Sequence, residues 1–134
     1  MTSVVADTHA LIWYVCTSDK LSITALNTLD QTTDSGNLIY ISAISLVEIV
    51  YLVEKNRLSK EVLQRIVNAL DDPNIGIVLA SLDRNISEKV QEIDRAKVPD
   101  MPDRIIAATA LSLDIPLVSC DSKIQKLTSV SIIW

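Results

Sequence analysis

The chain has 134 residues, nearly half of them apolar, no Phe, and a formal net charge of −5. That length and aliphatic composition predict one compact α/β domain over residues 1–134 and argue against disorder. No apolar run reaches the ~20 residues that span a bilayer, and the start lacks a signal peptide's basic and apolar regions, so a cytoplasmic, soluble protein is expected. The acidity makes a nucleic-acid grip built on the protein's own basic surface unusual, and favours a basic partner or a cation-filled acidic pocket.

Strand-like and helix-like segments alternate along the chain. Val4-Val5-Ala6 reads as a short buried strand leading into Asp7, followed by a helix from Thr8 to Cys16. Ser22 is placed to cap a second helix reaching about Thr32, and the run 33–37 is a turn. A second strand spans Leu38 to Ile41, with Ser42 capping a helix from Ala43 to about Asn56. Ser59 caps another helix that ends near Pro73. Ile75 to Leu79 is a third strand, and Asp83 to Arg95 reads as helical. Pro102 suits the first turn of a helix that runs to about Leu113. Leu117 to Ser119 is a fourth strand, Ser122 to Leu127 a short helix, and Val130 to Ile133 a fifth strand. Short strands, apolar on both sides and separated by helices, predict a mostly parallel sheet covered on both faces. In such sheets, sites form beyond the carboxyl ends of the strands where strand order reverses. The first and fourth strands are the expected neighbours there.

The acids near that edge draw attention. Asp7 ends the first strand, and Asp121 follows the fourth. Each also suits an ordinary N-cap. Glu48 lies in the apolar helical run Ser45 to Val53, where a half-buried carboxylate is costly unless a cation or donors compensate. Asp100 and Asp103 flank Pro102 at a helix start, where either can cap the helix or complement its positive end. The cap readings do not account for the joint placement of these acids. Carboxylates converging at one edge repel one another without a cation. Oxygen ligands select hard ions, so Mg²⁺ or Mn²⁺ is expected. Such an ion can activate water and clamp a phosphodiester. Two cysteines far apart and a single His fit no structural zinc site, and Cys16 and Cys120 suit small core positions.

The residues now in hand resemble the PIN-domain family, and more narrowly its VapC-type toxins of bacterial toxin–antitoxin pairs. The resemblance covers essentially the whole chain. It is carried by Val5 to Trp13, Ile41 to Ile49, Pro102 to Ala110 and Ile115 to Asp121, and rests on their order and spacing together. It implies a three-layer α/β/α sandwich and a metal-dependent endoribonuclease. Asp7, Glu48, Asp103 and Asp121 match the family's acidic positions, and Asp100 is an extra or alternative ligand. Ser119, at a position more often Thr, can hydrogen-bond a neighbouring carboxylate, and Thr8 is a further auxiliary residue. His9 matches a common choice of the subgroup and is expected to be structural. Arg104, Lys123 and Lys126 are candidates for phosphate contacts, against ordinary solvated helix charge. The resemblance also implies an RNA substrate, a homodimer, and an antitoxin, VapB-like, whose C-terminal segment occupies the groove. Leu46, Val50, Tyr51 and Val53 suit core packing first, and a dimer or antitoxin interface second.

Other readings are distinguishable. A catalytically inactive PIN-like module that binds RNA or protein is the main alternative, and the complete acidic set argues against it. An aspartyl-phosphate phosphatase needs a second Asp two positions after the first, but Asp7-Thr8-His9 lacks it. A receiver's paired acids and late Lys are absent as well. A dinucleotide-binding domain fails for want of a glycine-rich loop.

Overall fold

The computed structural model describes residues 2–134. Its order is β1 (Val4–Ala6), α1 (Thr8–Val15), α2 (Ile23–Asp34), β2 (Ile39–Ser42), α3 (Ala43–Glu54), α4 (Lys60–Asp71), β3 (Ile77–Ala80), α5 (Arg84–Lys89), α6 (Met101–Leu113), β4 (Leu117–Val118) and β5 (Ile132–Ile133). Short 3₁₀ turns at Val90–Glu92 and Ile124–Lys126 complete it. The five strands lie in the order β3-β2-β1-β4-β5. All pair in parallel. The chain winds outward from β1 through β2 to β3, then crosses to β4 on the other side. Strand order therefore reverses between β1 and β4, as the sequence pattern predicts.

Alternation along each strand divides the core into two layers. Val4 and Ala6 of β1, Ile39 and Ile41 of β2 and Val118 of β4 pack with Leu11, Leu29, Ile49 and Ile66 from α1–α4. Val5 and Leu117 point the other way, onto Ile86, Ile106 and Ala107 of α5 and α6. The result is a three-layer α/β/α sandwich. Ala107, Ala108 and Ala110 are wholly buried. Their small side chains let α6 lie close on the sheet. Side-chain caps start several helices: Ser22 accepts from Ala25 N at 3.0 Å, and Asp83 from Ile86 N at 2.9 Å. Among the described residues no helix is long and apolar enough to cross a membrane.

Four expectations are corrected. The helix expected over Asp83–Arg95 ends at Lys89. Arg104 Nη2 donates to the carbonyls of Val90 (2.9 Å) and Ile93 (3.3 Å), and the Asp94 carboxylate accepts from Ala96 N at 2.9 Å, turning the chain. The helix expected over Ser122–Leu127 shrinks to one 3₁₀ turn, because Leu127 is extended and drops into the core. Ser59 precedes α4 but makes no side-chain cap bond. Val50 and Tyr51 are exposed rather than packed in the core, whereas Leu46 and Val53 are partly buried.

Candidate active site

Beyond the carboxyl ends of β1 and β4 lies a cleft of about 560 Å³. Its walls carry Asp7, Glu48, Asp100, Asp103 and Asp121 together with Thr8. Five carboxylates from four separate segments are thus brought to one opening by the crossover at β1.

Asp7 enters the cleft because β1 ends there and α1 begins. Its Oδ1 accepts from Ala10 N at 2.8 Å, so it caps α1 while facing the cleft. It is 7% exposed. Burial raises its pKa, while the hydroxyl of Ser119, the Ala10 amide and His9 pull it down, and Asp121 adds a push upward. Ser119 is itself wholly buried, and its Oγ also accepts from Asp121 N at 3.1 Å. One hydroxyl therefore links the ends of β1 and β4.

Glu48 reaches the cleft from α3 and is half-buried. Thr8 Oγ1 donates to its Oε1 at 2.6 Å, and that hydroxyl lies 2.9 Å from Ser45 Oγ. A donor thus compensates the carboxylate in its apolar helix. Asp121 Oδ1 accepts from Lys123 N at 2.8 Å and Ile124 N at 3.0 Å, fixing the turn after β4. Asp100 caps α6, its Oδ2 accepting from Asp103 N at 3.2 Å. Cap and cleft roles coexist at Asp7, Asp100 and Asp121.

Asp103, in the first turn of α6, feels the gathering most. Its pKa is pushed up to about 7, first by burial and then by the charges of Asp100, Asp121 and Glu48. Among the described residues, no three His, Cys, Asp or Glu side chains stand close enough together to hold a metal ion as they are. The acids line the cleft without forming a closed cage. Their chemistry nevertheless fits a hard divalent cation: every donor is an oxygen, and a cation would relieve the repulsion felt at Asp103.

Arg104 does not line the cleft. Adjacent residues on a helix diverge by about 100°, and its guanidinium turns away to the Val90 and Ile93 carbonyls, with Nε buried and unpartnered. Lys123 lines the cleft, and Lys126 does not. Three further lining residues were given no part in the site by the sequence reading: His9, expected to be structural, Cys120, expected in the core, and Trp13. His9 and Trp13 stand four apart at the start of α1, a spacing that puts them on one helix face. His9 is exposed there, its ring beside that of Trp13. Cys16 and Cys120 are free and partly exposed rather than in the core. Burial and the nearby Asp7 and Asp121 raise the Cys120 thiol, which makes it a poor nucleophile.

A family model described as PIN domain matches residues 4–129. No curated protein matches the sequence. Among solved structures, VapBC2 from Rickettsia felis, bound to a DNA fragment from its promoter, matches at 18% identity and a TM-score of 0.73, covering 98% of this chain and 97% of that one. VapBC-1 from nontypeable Haemophilus influenzae matches at 14% and 0.70, covering 98% and 96%. A toxin–antitoxin complex from Klebsiella pneumoniae matches at 20% and 0.65, covering 95% and 94%. At these identities the structural likeness establishes the fold.

Proposed function

This chain belongs to the PIN-domain family, and from that membership we propose that it is a Mg²⁺- or Mn²⁺-dependent endoribonuclease, the VapC-type toxin of a toxin–antitoxin pair. The observation that carries the reading is the meeting of five carboxylates in one cleft at the β1–β4 reversal, with Asp103 raised to about 7 by burial and their mutual repulsion.

In this reading Asp7, Glu48, Asp103 and Asp121 would hold the metal, with Asp100 as a further ligand. When bound, the ion supplies a Lewis acid for the phosphodiester and acidifies water for in-line attack. The chain's own residues prepare the site. Ser119 and the Ala10 amide hold the Asp7 carboxylate, Thr8 aims Glu48, and the amides of Lys123 and Ile124 hold Asp121. Lys123, at the cleft wall, is the candidate phosphate contact. Asp103 must give up any proton it carries before a cation can occupy the cleft.

The proposed partner is a VapB-like antitoxin, and the proposed assembly a homodimer in the cytoplasm. A second opening supports the antitoxin reading. A largely apolar groove of about 740 Å³, which also carries Asp19 and Asp30, runs along α1 and α2 past Tyr14, Leu21, Ile23 and Leu26 and shares Trp13 with the acidic cleft. Ile23 is 79% exposed there. An apolar helix seated in this groove can carry a basic tail to the carboxylates.

The test is cleavage of total cellular RNA by the purified protein. Mg²⁺ or Mn²⁺ is expected to support discrete cuts, and excess chelator or Asp7→Asn is expected to reduce them to background with the fold retained. Cleavage that persists in chelator removes the proposal. Metal-independent RNA binding with no cleavage favours an inactive binding module instead.

A further inference from the structure

We propose that His9 and Trp13 form a nucleobase-stacking subsite beside the carboxylates, taking an unpaired base of single-stranded RNA next to the phosphate that is cleaved. The identity of the ligand rests on the ribonuclease reading; the aromatic surface does not.

Both residues line the acidic cleft from the first two turns of α1, immediately after Asp7. His9 is exposed, and its ring lies 5.7 Å from that of Trp13, tilted by 48°. Trp13 is packed against the core and backed by Trp134, ring centres 5.9 Å apart and tilted by 59°. The pair is therefore a braced aromatic wall whose outer ring, His9, is open to the cleft. Unpaired bases stack on such rings in single-strand recognition.

The charge of the site leaves this work to be done. The protein is at −5, and the cleft wall holds five carboxylates against one lysine, Lys123. Phosphate contacts alone give little grip on such a surface. Stacking involves no net charge, so it can hold a nucleotide here without basic residues. A base on His9 also lies in the cleft that Asp7 lines, which brings its phosphate within the reach of the carboxylate edge.

The test uses adenosine 5′-monophosphate, which has a base and a phosphate but no phosphodiester to cleave, titrated into the protein in Mg²⁺. Tryptophan fluorescence is expected to fall saturably, and ribose 5-phosphate at equal concentration is expected to leave it unchanged. His9→Ala, at an exposed position, should weaken the nucleotide's binding by about five- to a hundredfold, the range of one lost stack. The same loss should fall on KM for RNA rather than on kcat. Trp13→Leu, which removes the reporter ring, should raise KM for RNA likewise. If that variant does not fold, Trp13→Phe, which keeps a ring, should keep the wild-type KM. Equal quenching by ribose 5-phosphate, or unaltered nucleotide affinity in His9→Ala, overturns the subsite. Base-dependent quenching in a protein that cleaves no RNA would leave the subsite standing and remove the ribonuclease reading. RNA cleavage with KM unchanged in His9→Ala would do the reverse.

Discussion

Glu48 depends for its place in the cleft on the hydroxyl of Thr8, 2.6 Å away and itself buried. Thr8→Val keeps the side chain's shape and removes the donor. It is expected to lower metal affinity and RNA cleavage by about tenfold or more, as loss of a ligand-orienting partner does, and to lower the melting temperature by several degrees with the fold retained. Metal titration beside a melting curve checks this. Asp103 predicts a pH dependence. Its folded pKa, about 7, lies above the 3.8 of an ordinary aspartate, so between those values the folded state holds the extra proton. Its contribution to stability therefore falls as pH rises from about 4 to 7, and Asp7 shifts in the same direction. Without metal, the protein is expected to melt lower at pH 7.5 than at pH 5.5. Mg²⁺ should narrow that difference, and Asp103→Asn should reduce it. A metal-free melting temperature that rises over this range, or is indifferent to Asp103→Asn, contradicts the assignment. At this scale the acids were legible in the sequence because strand ends and an apolar helix are readable contexts. Arg104 was misread because adjacency to Asp103 in sequence does not mean a shared direction on a helix. The sequence reading gave His9 and Trp13 no part in the site, although their spacing of four, directly after Asp7, was the signal.

Alternation of short apolar runs with helical segments made the strands and their parallel pairing readable at the element scale. Element ends were less legible, because they turn on long-range bonds. The end of α5 is an instance: Arg104, fourteen residues from Val90, takes the carbonyls of Val90 and Ile93. Arg104→Met is expected to destabilise the fold by about 1–2 kcal/mol through those unpaired carbonyls, read as a lower denaturant midpoint. Unaltered stability would deny Arg104 its anchoring role. Gly76, which leads into β3, has φ of +85°, and a Cβ there would meet Thr33 Cγ2 at 3.2 Å. Gly76→Ala is therefore expected to cost about 1 kcal/mol or more, whereas Gly36→Ala, with open space about it, meets only the backbone cost of its own positive φ. A Gly76 variant no less stable than the Gly36 variant contradicts that account of the turn.

For the whole molecule, the reversal of strand order at β1 is what makes the site. It sets Asp7 and Asp121 on adjacent strands, and α3 and α6 then bring Glu48, Asp100 and Asp103 to the same edge. The sequence carried this much through the sheet pattern and the acids' positions. It did not carry the aromatic wall or the apolar groove, which exist only when α1, α2 and the chain's end are packed together. The cleft carboxylates are proposed as a divalent-metal site. Its most direct measurement is Mn²⁺ binding, followed by electron paramagnetic resonance, to the wild-type protein and to folded Asp7→Asn and Asp103→Asn. Saturable binding by the wild type, competed by Mg²⁺, is expected, with a loss of about tenfold or more in affinity in each variant. Equal Mn²⁺ affinity in all three proteins, or no saturable binding to any, would contradict it.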